Sequence, residues 1–173
     1  MGNLHERAQN LLVFHVSGLD CAFPLDAVQE IVPMALLVAP LGLPSGLAGF
    51  LDLRGTAIPI IRLDRLFDLP EQKPGLHTPM IVFRGTLGPI GILVESVRGI
   101  VPVASGELLD LGEERTFHGC ATGAIEVDGD RIYLLSPASL LQANEHRIVA
   151  DFADLSRARL LQWAPTPVAE AAD

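Results

Sequence analysis

His118 and Cys120, two positions apart, are the residues whose types could do nucleophilic chemistry. An imidazole beside a thiol can take its proton and leave a reactive thiolate. They stand at the end of a loop without a third group to orient the imidazole, so loop or core packing is the simpler reading. The five histidines, at 5, 15, 77, 118 and 146, show no metal-ligand spacing. His5-Glu6 lacks the second histidine of a zinc-hydrolase helix. His15 alternates into a strand and reads as a surface or edge residue. Asp52 and Glu126 occupy equivalent places in two similar segments, as the carboxylates of an aspartic protease would. Those enzymes need Asp-Thr/Ser-Gly so that two close carboxylates share a proton. Leu51-Asp-Leu-Arg54 and Ile125-Glu-Val-Asp128 do not supply it, and both acids are expected on solvent-facing strand positions. There is no phosphate loop, dinucleotide fingerprint or nucleophile elbow. No catalytic residue, metal site or cofactor is expected, and a binding module is favoured over an enzyme.

The elements that carry these residues are short strands in a repeated unit. Gly49 to Phe67 reads as a strand, a tight turn at Arg54-Gly55, a second strand, then a turn or two of helix. Leu51 and Leu53 alternate with Asp52 and Arg54, the period of a half-buried strand. Ala57 to Ile61 is an apolar run expected to be covered on both faces. Gly123 to Leu141 repeats the unit. Gly49 aligns with Gly123, Leu51 with Ile125, Gly55 with Gly129, Ile58 with Ile132, and Leu66 with Leu140. Asp128-Gly129 supplies the positive φ angles of a two-residue hairpin turn. Ser136 suits a helix N-cap and Pro137 the first helical position. Upstream, Cys21–Val32 aligns with Ile90–Val101, pairing Asp26, Val28, Ile31 and Val32 with Glu95, Val97, Ile100 and Val101. Two similar halves in the same order point to an internal duplication.

A chain of 173 residues can bury a sizeable core. Hydrophobic residues are 49% but aromatics only 5%, so that core must be aliphatic. Sixteen glycines and thirteen prolines favour many short strands over long helices. The net charge of −9 argues against a nucleic-acid partner or an anionic membrane surface. The two cysteines, Cys21 and Cys120, form no redox or metal framework. No secretory h-region is present among the first residues, and a cytoplasmic protein is expected.

In order, residues 1–10 read as a flexible lead-in, Leu11–Val16 and Cys21–Leu25 as strands, and Asp26 as the cap of a helical turn ending near Glu30. Residues 31–51 carry no charge. Pro33, Pro40 and Pro44 would break a membrane-spanning helix there, so no membrane insertion is expected. A strand at Ala35–Ala39 and an apolar loop fit better, and an exposed part of that loop would mark a protein-binding surface. Residues 70–78 are a polar linker between the halves. Strands follow at Pro79–Arg84, Ile90–Val94 and Gly99–Val103, then a polar loop from Ala104 to about Cys120. Residues 142–163 read as an appended helix with Ile148, Phe152 and Leu155 on one face, and 164–173 as a disordered tail.

Three motifs give the chain a relative. Phe23-Pro-Leu-Asp-Ala-Val-Gln-Glu-Ile-Val32, Leu47-Ala-Gly-Phe-Leu-Asp-Leu-Arg-Gly-Thr-Ala-Ile-Pro-Ile60 and Ile90-Gly-Ile-Leu-Val-Glu-Ser-Val97 resemble, in order and spacing, the chemotaxis coupling protein CheW family. The likeness covers about residues 11–141. It implies an all-β fold of two packed SH3-like, five-stranded β-barrels, about 11–70 and 79–141, with a strand exchange between them possible. It implies an adaptor without catalytic activity, joining the cytoplasmic tips of chemoreceptors (methyl-accepting chemotaxis proteins) to the regulatory domain of a CheA-type histidine kinase. The partner-facing positions it suggests are Arg54, Val28, Ile31, Val94 and Val97. Arg54 is a forked donor at a hairpin tip, able to hold a carboxylate or carbonyl. The four aliphatic residues read equally well as core. The family usually has Arg where Ala48 stands, Asn where Asp52 stands, and Asp where Arg62 and Ser136 stand. A stand-alone regulatory module binding another protein through residues 31–51 is the alternative.

Overall fold

The structure, a computed structural model, describes residues 9–85, 88–104, 108–111 and 117–162. The first half runs β1 (Gln9–Val16), β2 (Leu19–Pro24), a 3-10 turn (Leu25–Ala27), β3 (Val28–Pro33), β4 (Leu37–Val38), β5 (Leu47–Leu53), β6 (Thr56–Arg62) and α1 (Leu63–Leu66). The second runs β7 (Pro79–Arg84), β8 (Pro89–Leu93), β9 (Ser96–Val103), β10 (Ala121–Val127), β11 (Asp130–Leu135) and α2 (Pro137–Gln162). The fold is all-β, with two barrel-like sheets.

The sheets are ordered β10-β11-β2-β1-β9 and β3-β7-β8-β6-β5-β4. Replacing each strand of the first by its counterpart in the other half gives β5-β6-β8-β7-β3, which is the second sheet without β4. In both, the hairpin before a helix joins the rest through a parallel pair, β11 with β2 and β6 with β8. In both, one strand comes from across the molecule: β3 pairs with β7, and β9 with β1. Each sheet therefore mixes strands from the two halves, and the contiguous ranges 11–70 and 79–141 are not the two sheets.

Burial explains the apolar runs. In β1, Leu11 and Val13 pack with Ile125, Ile132 and Leu134 inside the first sheet's own core. The alternate residues Leu12, Phe14 and Val16 join the cluster between the sheets. Strand β7 repeats this, with Met80 and Val82 inward and Ile81 and Phe83 toward the junction. A strand covered on both faces shows continuous hydrophobicity instead of alternation. The scarce aromatics gather at the junction, where Phe23 lies 5.2 Å from both Phe14 and Phe83. His15 thus stands on an interior strand, half-buried, rather than at an edge.

Other elements depart from expectation. The turn after β2 ends at Ala27, and Asp26 lies inside it rather than capping it. The strand expected at Ala35–Ala39 shrinks to the two residues of β4. The helix expected over 142–163 is continuous with the helical start at Pro137, because no glycine or proline interrupts residues 138–162. Its start is as the sequence indicates: the Ser139 N–H donates to Ser136 Oγ at 3.3 Å. Of the expected stripe on this helix, Ile148 is half-buried, Leu155 is 51% exposed, and the side chain of Phe152 lies outside those described. Residues 1–8, 105–107, 112–116 and 163–173, where a lead-in, loop segments and a tail were expected, lie outside the described residues.

Candidate partner-binding site

Arg54 and Gly55 adopt φ angles of 52° and 83°, and Asp128 and Gly129 match them at 53° and 87°. Both are the two-residue hairpin turns with positive φ whose twist suits antiparallel strands. Asp52 fixes the first turn by accepting the Gly55 N–H at 2.8 Å. This turn points Arg54 across the sheet. Its guanidinium donates to both carboxylate oxygens of Glu30 on β3, at 3.2 and 3.0 Å. Strands β7 and β8 separate β3 from β6 in the sheet, so the pair ties the hairpin tip to the far edge. The Arg54 side chain remains 77% exposed. An exposed pair of this kind contributes only about 0–1 kcal/mol, so a partner carboxylate can compete for the guanidinium at small cost. The other barrel lacks the clamp, with Asp128 and Gly99 at the corresponding positions.

Val28 and Val97 are counterparts. Val28 pairs with Phe83 and Val97 with Phe14, and both are half-buried against the junction cluster. They flank the phenylalanine trio from its two ends. Ile31 lies opposite Ile81 and is 43% exposed. Its counterpart Ile100 lies opposite Leu12 and is 56% exposed. Cross-strand neighbours share a face, so both isoleucines sit on the junction side of an edge strand. Val94 is fully buried in the same cluster, its N–H donated to the Pro79 carbonyl; it shapes the junction from within and offers no surface. Ile100 was not among the expected site residues, although its alignment with Ile31 carried the signal.

The thiol–imidazole pair does not form. The Cys120 thiol is aimed at the Ser139 carbonyl, whereas His118 Nε2 lies 3.3 Å from Asp68. Burial pushes the Cys120 thiol up to about 11, which leaves almost no thiolate at neutral pH. Cys21 is pushed up to about 12 by burial and by the neighbouring Asp20 carboxylate. Asp52 and Glu126 are exposed, as expected, and Glu126 pairs with Arg131 at 3.3 Å. Among the described residues, no three His, Cys, Asp or Glu side chains converge as metal ligands. No described helix is long and apolar enough to cross a membrane.

One polar cluster is buried. Arg62 donates to Asp64 from Nε at 2.9 Å and from a terminal nitrogen at 2.5 Å, and to the Gln72 carbonyl at 2.7 Å. The Gln72 N–H returns to Asp64 at 2.8 Å. Burial alone would raise the Asp64 carboxyl, but the Arg62 hydrogen bonds, the Gln72 N–H and the Arg62 charge together hold it below the usual carboxylate range. This cluster fastens the linker to the start of α1.

Two mixed barrel-like sheets, an exposed arginine on a hairpin tip and an apolar junction between the sheets define a protein-interaction module. The chain matches the CheW-like domain over residues 10–145 and belongs to that family. It is 23% identical over 148 residues to a chemotaxis protein CheW from Rhizobium meliloti (strain 1021), covering 83% of this chain and 94% of that one. Its fold matches the crystal structure of the scaffolding protein TtCheW from Thermoanaerobacter tengcongensis, with a TM-score of 0.72 and 19% identity. That match covers 77% of this chain and 92% of the other.

Proposed function

We propose that the chain is a non-catalytic adaptor that couples chemoreceptor cytoplasmic tips to the regulatory domain of a CheA-type histidine kinase. The observation that carries this is the family match over residues 10–145. The site supports it. Arg54 is held by one half-buried carboxylate, is itself largely exposed, and is available to a partner acid. Val28, Ile31, Val97 and Ile100 border an apolar junction suited to a helical receptor tip. Isothermal titration with a kinase regulatory domain and a receptor signalling domain tests the reading. Binding of both at tens of micromolar or tighter is expected, and Arg54→Glu should weaken one contact about tenfold, or 1.4 kcal/mol. Absence of binding to either partner would overturn it.

The alternative of a stand-alone regulatory module has its own observation. Leu36, Val38 and Leu41 are 90%, 63% and 105% exposed on and beside the edge strand β4. An uncharged edge with exposed aliphatic side chains is a template for another chain. Leu36→Glu with Val38→Glu should leave the kinase and receptor contacts intact if this surface serves a different partner.

A further inference from the structure

The junction between the sheets has two sides, closed in different ways. On the faces turned to it, β2 and β1 separate β11 from β9, and β8 and β7 separate β6 from β3. Strands β9 and β3 carry Val97, Ile100, Val28 and Ile31 along one side. Strands β11 and β6 lead into α2 and α1 on the other. There Leu66, Phe67 and Leu140 join the apolar cluster from both sheets.

Polar ties cross this helix side, and Arg147 of α2 is their hub. Its Nε donates to Ser45 Oγ at 3.2 Å, and a terminal nitrogen lies 3.5 Å from Asp68 Oδ1. The Ser45 N–H and hydroxyl donate to Asp151 Oδ2, one helical turn further on, at 2.9 and 3.0 Å. The other Asp68 oxygen lies 3.3 Å from His118 Nε2. Ser45 and Asp68 flank β5, β6 and α1, which belong to the second sheet. His118, Arg147 and Asp151 flank the β10–β11 hairpin of the first. Each tie therefore joins one sheet to the other. The approach is close, since a Cβ on Gly46 would lie 3.1 Å from Asn144 Oδ1. Arg147 and Asp151 stand beyond residue 145, where the family match ends.

We infer that these contacts form a clasp that holds the two sheets at a fixed opening and so pre-shapes the apolar groove on the opposite side of the junction. Two packed bodies sharing an apolar interface can rock as units, so a gap at one side changes the spacing at the other. A clasp at one side restricts that rocking. A groove already in its binding shape spares its occupant the cost of ordering it. Exposed ties are individually weak, so the clasp limits the motion and does not carry the fold. It deepens the adaptor reading and rests on it for the groove's occupant; a distance within the free chain tests the clasp alone.

The test places nitroxide labels on the full chain at Ile31→Cys and Ile100→Cys, one on each sheet at the groove rim. Cys21 and Cys120 are fully buried and stay unlabelled. Double electron–electron resonance should give one narrow distance distribution in the otherwise unchanged chain. Arg147→Ala should broaden it about twofold. Asp151→Ala should broaden it less, because the tie from Arg147 to Asp68 remains. Alanine is the best helix former, so both variants should keep the circular dichroism of the parent. Arg131→Ala removes an exposed pair with Glu126 on the β10–β11 hairpin, outside the junction cluster, and should leave the distribution unchanged. An unchanged width in Arg147→Ala overturns the clasp, and so does equal broadening by Arg131→Ala. Loss of helical signal in either α2 variant also overturns it, since the contacts would then serve to hold α2 folded rather than to join the sheets.

Discussion

Arg62 and Asp64 are buried charges whose value depends on their being paired. Arg62 is 6% and Asp64 1% exposed, so water cannot replace a lost partner. Asp64→Ala leaves the guanidinium buried without its carboxylate and should cost about 3–5 kcal/mol in urea unfolding. Removing both charges, as Arg62→Met with Asp64→Ala, should cost less than that single change. The pair also gives a pH signature. The folded Asp64 carboxyl lies below its unfolded value of about 3.9. Its contribution is therefore complete above that value and disappears as pH falls through the lower folded one. The urea midpoint of the wild type should drop below about pH 4 more steeply than that of Asp64→Asn. A parallel pH dependence in the two proteins would exclude this role. Strand β6 ends directly in α1, which lets Arg62 reach the acid two residues later.

Among the elements, the repeated hairpin shows what a glycine at the same place in both copies does. A Cβ on Gly49 would lie 2.9 Å from the Val38 carbonyl oxygen of β4, and its φ of +149° is strained for any side chain. A Cβ on Gly123 would lie 3.0 Å from the Leu108 side chain, which can move. Both glycines stand where an additional segment crosses the hairpin, β4 in one sheet and the Leu109–Ala124 bridge in the other. Gly49→Ala should lose about 1–3 kcal/mol of stability and Gly123→Ala less, measured by thermal unfolding with the two variants side by side. Equal losses would mean that Val38 yields as readily as Leu108. The hairpins, their turns and the start of α2 were legible because each rests on local chemistry: alternation, Arg54-Gly55 and Asp128-Gly129 turns, Ser136-Pro137. β4 was legible as a strand within Ala35–Ala39 but not in its bounds, because residues 34–46 are apolar without a period, and only the crossing over Gly49 selects Leu37–Val38. The exposure of Arg54 was legible from its turn. Its tie to Glu30 was not, since sequence does not say which strand a hairpin tip will reach.

For the whole molecule, the duplication was visible in sequence but the exchange of β3 and β9 was not decided by it. β3 was missed, since Asp26 to Glu30 reads as a helical turn where the strand Val28–Pro33 in fact begins, and a strand read at Gly99–Val103 does not say whose edge it joins. The same limit held at the junction, where Val94 reads as a groove wall or as core and only the packed fold separates the two. The exchange has a mechanical consequence. Each half donates strands to both sheets, and Phe14, Phe23 and Phe83 stack across the junction. The linker itself is held at Gln72 by Asp64 and at Pro70 by the Ser17 hydroxyl, whereas Leu76 is 88% exposed. A protease site inserted at Leu76 should therefore be cut without separating the products. The nicked chain should elute in gel filtration as one species, because dissociation would strip β3 from β7 and β9 from β1 at once. Residues 9–70 expressed alone should lack a cooperative unfolding transition, since one sheet would be missing β9, β10 and β11 and the other β7 and β8. Two contiguous barrels would behave in the opposite way: the nicked halves would part, and each would melt cooperatively by itself.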